Sequence, residues 1–319
     1  MGKKVVFNSS FFYIFIRSLL KCRLLLLFLL ILCTCFSCAG GLSRKEASKL
    51  YFNLGNAYFD LGQNEKASEA YLKALFYDKK MKVALFNLAK AYMEANRFSD
   101  ALDILDNMLK SEPKNVILLL AKAYCIYAYG DLEESYELYG LILEIDPGNI
   151  EALFNSAVIK AEEGLYTDAL ETLTILKTRQ IDDDRITRKI NFKIGEIFYN
   201  ADEYGQAIEY LKYTSENEPD NIENLKMLFD SYVKTNAYAS AVDIGNQILS
   251  IENDKDILFQ LAFIYLTAIE DMNTGILFLN RSISAGFSDM QKASALMETL
   301  PGDMVRTISE ILRKEKLLD

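Results

Sequence analysis

Apolar residues recur along this chain at intervals of three and four. Ala84, Leu85, Leu88, Ala91 and Tyr92 are followed by Ala101, Leu102, Leu105, Met108 and Leu109. That spacing puts each set on one face of an α-helix, and Asn96 marks the turn between them. Only four prolines occur among 319 residues. The pattern predicts an all-α chain.

The pattern repeats. Pro113 and Pro147 are 34 residues apart, and Pro147 and Pro219 are 72 apart, which is two periods plus four. Small residues give the same slip independently. Ala67, Ala101, Ser135, Ala169, Ala207 and Ala241 are separated by 34, 34, 34, 38 and 34. A second set is Gly55, Ala89, Ala123, Ala157 and Gly195, with the larger Phe229 in sixth place. A third is Gly62, Asn96, Gly130, Gly164, Asp202 and Asn236, residue types that best tolerate a left-handed backbone at a helix end. The third set predicts the turn between two helices. The first two predict the places where paired helices approach closely, and the prolines mark the exit from each pair.

These residues resemble the tetratricopeptide repeat, a 34-residue helix–turn–helix with small residues at its eighth and twentieth positions. The best unit is Tyr51, Leu54, Gly55, Tyr58, Ala67, Tyr71 and Ala74, followed by Leu85, Leu88, Ala89, Tyr92, Ala101, Leu105 and Pro113. The resemblance implies a right-handed superhelix, an α-solenoid of about seven units. Units fall at about 48–81, 82–115, 116–149, 150–183, 188–221, 222–254 and 255–287. The seventh is degenerate, with Thr274 where alanine is expected. The four-residue insertion lies near Ile181-Asp182-Asp183-Asp184-Arg185. It lacks the alternating ligands and turn glycine of a calcium loop and reads as a solvated linker dividing units 1–4 (48–183) from units 5–7 (184–287). Residues 288–319 read as capping helices, the last with Val305, Ile308, Ile311 and Leu312 on one side and Asp303 at its start.

The N-terminus has a different character. The first 45 residues contain no Asp or Glu, and the leader carries Lys3, Lys4, Arg17, Lys21 and Arg23. An apolar run from Leu24 to Phe36 precedes Ser37-Cys38-Ala39-Gly40. This is the layout of a secretory signal, and the run is short for a membrane-spanning helix. The segment resembles a bacterial lipoprotein signal, with Ser37 as the small residue before the lipidated Cys38, although Cys35 and Phe36 depart from the usual Leu and small residue. The resemblance implies a signal peptide at 1–37 and a linker at 38–47. The alternatives are an uncleaved inner-membrane anchor and a cleaved, soluble body. All three place the body outside the cytoplasmic membrane.

Composition narrows the chemistry. There is no histidine, which removes zinc-water hydrolases, Ser-His-Asp triads and Cys-His nucleophiles in their usual forms. No P-loop or G-x-G-x-x-G occurs. The expectation is no catalysis, no cofactor and no metal. Four of five cysteines lie in the first 38 residues, so Cys125 has no disulfide partner in the body. Without residues 1–37 the chain has 30 basic and 45 acidic residues, net −15. Such a surface repels nucleic acid and anionic headgroups, which leaves membrane attachment to the N-terminus.

In the tetratricopeptide family the first helix of each unit lines a groove. The resemblance carries this to Phe52, Asn56, Phe59, Phe86, Lys90, Tyr124, Tyr127, Phe154, Phe192 and Tyr199. Asn56 and Asn87 match the asparagines of a carboxylate clamp, but Phe52, Ile117 and Ala121 stand where its basic residues belong, so no clamp is expected. The groove is expected to be aromatic and aliphatic. The function implied is an envelope-anchored scaffold holding protein or peptide partners. The alternative is a binder of a small apolar ligand or an accessory protein of a solute-uptake system, with a closed pocket among Phe86, Tyr124, Tyr127 and Phe154.

Overall fold

The computed structural model describes residues 42–179, 183–300 and 302–317. Cys38 and the leader lie outside them. Sixteen helices and no strands occur among the described residues. The chain forms two compact units that part between Tyr129 and Gly130.

The first unit holds α1 (Arg44–Asp60), α2 (Asn64–Tyr77), α3 (Lys82–Glu94), α4 (Phe98–Leu109) and α5 (Val116–Tyr129). Helix α1 packs against α2, α3 against α4, and each pair packs against the next helix. Their shared core includes Ala67, Tyr71, Leu88, Ala89, Tyr92, Ala101, Leu105, Leu118 and Cys125. A leucine buried as fully as Leu105 stabilises by about 1.5–3 kcal/mol relative to an exposed one.

The second unit holds α6 (Leu132–Ile145), α7 (Ile150–Glu162), α8 (Tyr166–Thr178), α9 (Asp184–Asn200), α10 (Tyr204–Asn217), α11 (Ile222–Lys234), α12 (Tyr238–Ile251), α13 (Lys255–Thr267) and α14 (Met272–Ser284), then α15 (Met290–Thr299) and α16 (Gly302–Lys314). Pairs form as α7 with α8, α9 with α10, α11 with α12 and α13 with α14.

The turn residues behave as their side chains allow. Gly62, Asn96, Gly130, Gly164, Asp202 and Asn236 all have positive φ, between 57° and 97°. One period later Glu270 adopts the same conformation at 59°, at a cost of about 1–2 kcal/mol for a residue with no local compensation. Pro113, Pro147 and Pro219 lie in the loops that follow α4, α6 and α10. Asn149 and Asn221, two residues after a proline, cap the next helix by accepting amide hydrogen bonds from Ala152 and Asn224.

The insertion differs from the expected linker. Helix α9 has 17 residues, whereas α7 and α11 have 13 each, so the four extra residues appear as an added turn of helix. Asp184 and Arg185 are helical, and Asp183 caps the helix by accepting from the Arg185 amide at 2.9 Å. Gln180, Ile181 and Asp182 lie outside the described residues.

The helix pairs are matched by size. At Gly55 a β-carbon would lie 2.5 Å from the Tyr71 ring, and at Gly195 it would lie 2.8 Å from Leu211. Where Phe229 replaces the small residue, the facing position is Gly245, whose added β-carbon would meet the Phe229 ring at 2.9 Å. The bulk has changed sides and the helix spacing is kept.

The C-terminal helices close the core of the second unit. Met304, Ile308, Leu312 and Leu317 are buried in one cluster with Phe259, Phe278, Phe287, Ala293 and Leu296. Val305 and Ile311 are half-buried beside it. Asp289 caps α15 through the amides of Gln291 and Lys292. Pro301 and the Asp303 side chain, expected to break and cap the last helix, fall outside what is described.

Candidate binding groove

In the first unit α1, α3 and α5 carry the side chains expected to face the groove. Asn56, Phe59 and Lys90 come together there, joined by Asp60, Tyr71 and Asn87, around a pocket of about 250 Å³. Tyr71 is the floor. Its ring fits only because residue 55 is glycine, and its hydroxyl donates to Asn56 Oδ1 at 2.8 Å. Asn87 Nδ2 donates to the same oxygen at 3.0 Å. Burial, reinforced by the Asp60 charge and opposed by Asn87, raises the Tyr71 pKa, so the hydroxyl remains a donor well above neutral pH. Lys90 Nζ lies 5.1 Å from the Phe59 ring centroid, within cation–π range.

This pocket is polar, unlike the aromatic and aliphatic groove expected. The apolar surface lies beside it. Val83, Ile117 and Tyr124, at 57%, 61% and 46% exposure, present large side chains to solvent from the first helices of successive repeats. Phe52 is half-buried with its ring 5.9 Å from that of Tyr71, and Phe86 is half-buried against the same core. Tyr127 is also half-buried. Phe86, Tyr124, Tyr127 and Phe154 do not line the pocket.

The second unit carries the remaining expected residues. Phe154 is half-buried against Ala157, Leu173 and Ile194. Phe192 and Tyr199 lie half-buried against Ala207, Leu211 and Leu228. The Tyr199 hydroxyl donates to Asp230 Oδ2 at 3.1 Å, and burial together with that carboxylate raises its pKa. Helix α9 also carries a Lys193–Glu196 ion pair. None of the ten expected groove residues is fully buried.

Asp60, Tyr71 and Asn87 complete the pocket without having been expected to bind. A signal for two of them exists in the sequence. Tyr71 and Asn87 are sixteen residues apart, and so are Tyr139 and Asn155, where Asn155 Nδ2 lies 3.1 Å from the Tyr139 hydroxyl. The intervening repeat has Leu105 and Ala121 instead.

A second cavity, about 330 Å³, lies on α3 and α4, with Leu85, Ile104 and Met108 inside and Lys80, Lys82 and Glu112 at its rim. Lys82 pairs with Glu112 across it. Elsewhere Cys125 is buried, which pushes its thiol pKa up to about 11 and leaves it unreactive at neutral pH. Among the described residues there is no cluster of three metal-ligating side chains, and no helix is long and apolar enough to cross a membrane.

Comparison with known proteins agrees with the helical pairing. A family profile described as TPR repeat matches residues 55–96, and one described as Tetratricopeptide repeat matches residues 86–150. The chain is similar to the TPR repeat-containing protein MJ1428 of Methanocaldococcus jannaschii, 24% identical over 265 residues, which are 76% of this chain and 46% of that protein. It thus spans less than half of that relative. An uncharacterized lipoprotein of Treponema pallidum is 24% identical over 178 residues, 55% of this chain and 90% of that protein. Among solved structures, a tetratricopeptide repeat protein from Parabacteroides merdae superposes with a TM-score of 0.52 at 16% identity, covering 79% of this chain and 98% of that one. The last likeness concerns the fold alone.

Proposed function

From the premise that this chain is a tetratricopeptide-repeat protein, we propose that it is a non-catalytic adaptor held in a bacterial cell envelope. Repeats of this family are protein-interaction modules, and that coarse role is the starting point. The finer reading is that the groove of the first unit holds an extended segment of an envelope protein. Attachment is through lipid on Cys38, with the body in the periplasm.

The observation that carries the reading is the exposed row of Val83, Ile117 and Tyr124 beside the Asn56–Asn87–Lys90 pocket. Val83 and Ile117 occupy matching repeat positions, Tyr124 stands where the preceding repeat has Lys90, and all three side chains are exposed. Next to them stand a fixed amide pair and a lysine suited to a peptide's polar groups. Support for the anchor comes from the leader ending at Cys38 and from the name of the Treponema pallidum relative. The strongly acidic remainder argues against nucleic acid as a partner.

The test is recovery of partners from solubilised native membranes. The wild-type protein is expected to retain an envelope protein that Phe86→Ala and Tyr124→Ala lose, and intact mass is expected to show a lipidated chain starting at Cys38. Equal recovery by all three proteins would remove the groove from the reading, and an unmodified chain starting at Met1 would replace the lipid by an uncleaved anchor.

A second reading has one observation in its favour. The Leu85–Ile104–Met108 cavity is apolar and of a size for a small ligand, although it lies away from the place expected for one. Extraction of the purified protein and mass analysis of what is released distinguishes the two.

A further inference from the structure

Repeat positions allow the first helical pair to be compared with its successors, residue by residue. Leu50, Leu54 and Ala57 lie on one stripe of α1 and are exposed. The matching residues of α3 (Ala84, Leu88, Ala91), of α9 (Ile190, Ile194, Ile197) and of α11 (Asn224, Leu228, Ser231) are all buried. Those stripes pack on a preceding pair, whereas the α1 stripe has none among the described residues. On α2 the anomaly is sharper. Leu72 and Phe76 are exposed, Phe76 at 68%. Their counterparts are Asp106 and Lys110, Gly140 and Glu144, Thr174 and Thr178, Lys212 and Glu216, and Asn246 and Ser250, every one exposed and none apolar. Stacking of repeats does not explain two large apolar side chains at these positions.

The charge changes in the same place. Residues 42–82 contain eight basic and five acidic side chains, net +3, whereas residues 83–319 contain 22 basic and 40 acidic, net −18. Lys49, Lys73, Lys79 and Lys80 are all exposed. One of the acids, Glu46, is engaged in the cap at Ser43.

The tether is short. In the anchoring reading the lipid sits on Cys38 and α1 begins at Arg44, so the five residues between them reach at most about 18 Å. Resting on the envelope-anchoring reading above, we infer that the free face of the first helical pair is a membrane-resting surface. Leu50, Leu54, Leu72 and Phe76 enter the interfacial layer of a bilayer, and the lysines meet its anionic phosphate headgroups. A second copy docked on the same face would oppose two positively charged rims. A lipid surface complements the charge and already lies within reach of the tether. The expectation that the acidic body stands off anionic lipid therefore applies to residues 83–319 and not to this pair.

The chain has no tryptophan, so single tryptophans serve as clean probes. The experiment places Phe76→Trp, Leu54→Trp or Ile175→Trp in the full lipidated chain. Each is reconstituted in phosphatidylglycerol–phosphatidylcholine vesicles with brominated acyl chains. All three variants are expected to float with the vesicles. Emission at positions 76 and 54 is expected to be blue-shifted and quenched, while position 175, exposed on α8, stays unquenched. Adding Lys73→Glu, Lys79→Glu and Lys80→Glu to Phe76→Trp is expected to reduce the quenching without loss of flotation. Flotation with position 76 quenched no more than position 175 overturns the membrane-resting surface and leaves the anchor intact. Failure to float overturns the anchor and this inference with it. A blue shift without quenching, together with a doubled mass, assigns the face to a second copy and also overturns it.

Discussion

At the first helical pair Leu50, Leu54, Leu72 and Phe76 lie open to solvent, whereas at the last pair α15 and α16 enclose the equivalent apolar mass. There Phe259 stacks on Phe287 with centroids 4.1 Å apart, and Ile308 and Leu312 are fully buried. Lys292 then ties α15 back to Asp256 at 3.0 Å. Each pair lies at one end of its own unit, where a repeat cannot bury its outer face alone. The C-terminal solution is written into the chain as two extra helices with an apolar inner side and a charged outer one. At the first pair no described residue supplies such a cover, and that difference is what the proposed membrane-resting surface accounts for.

That contrast is best broken at the closed end. Ile308→Ala or Leu312→Ala should destabilise the second unit by about 2–5 kcal/mol, read by urea unfolding, since each side chain is fully buried. A cost under 0.5 kcal/mol would mean that α16 does not close the core. Gly55→Ala comes next. The added carbon meets the Tyr71 ring, and about 1–3 kcal/mol of overpacking should appear as an earlier unfolding transition, with weaker partner recovery as the pocket floor shifts.

A smaller effect should appear in acid. Asp254 caps α13 and pairs with Lys226 at 2.7 Å. Burial opposes its ionisation, but the lysine and two amide hydrogen bonds outweigh burial and hold its pKa below the usual 3.8. A depressed folded-state pKa contributes stability above the unfolded value and loses it as pH falls through the folded one. Asp254→Asn should therefore flatten the acid limb of the stability curve below about pH 4. An unchanged limb would mean that other carboxylates set it. The smallest effect belongs to the open end, where Leu50→Ser and Phe76→Ser should each change stability by less than about 0.5 kcal/mol. A loss comparable to Leu312→Ala would show that the face is covered within the folded chain.

The sequence made the repeat legible because its punctuation is conformational. Gly62, Asn96, Gly130, Gly164, Asp202 and Asn236 stand where only a few residue types are comfortable, and each takes positive φ. Glu270 escapes such a search because it holds the same backbone against its preference. Phe229 departs from the small-residue set because Gly245 stands opposite, so size is matched across a contact and not at one position. The insertion was legible in length but not in form, because three aspartates suit both a loop and the start of a helix. Of the groove, Asn56, Phe59 and Lys90 were legible from repeat position. Asp60 sits at the end of α1, and Tyr71 belongs to the second helix of its pair, so a search confined to groove-facing positions passes over both. The open face of α1 and α2 was hidden for another reason. In the sequence Leu50 and Leu54 look like ordinary repeat core, and only the structure shows them exposed among the described residues.

The account stands on the groove of the first unit, and site-specific photo-crosslinking in native membranes tests it most directly. A photoreactive residue at position 124 should capture one envelope protein that the same residue at position 175 does not. Identical products from both positions, or none from position 124 in a protein shown to be folded and membrane-bound, would contradict it.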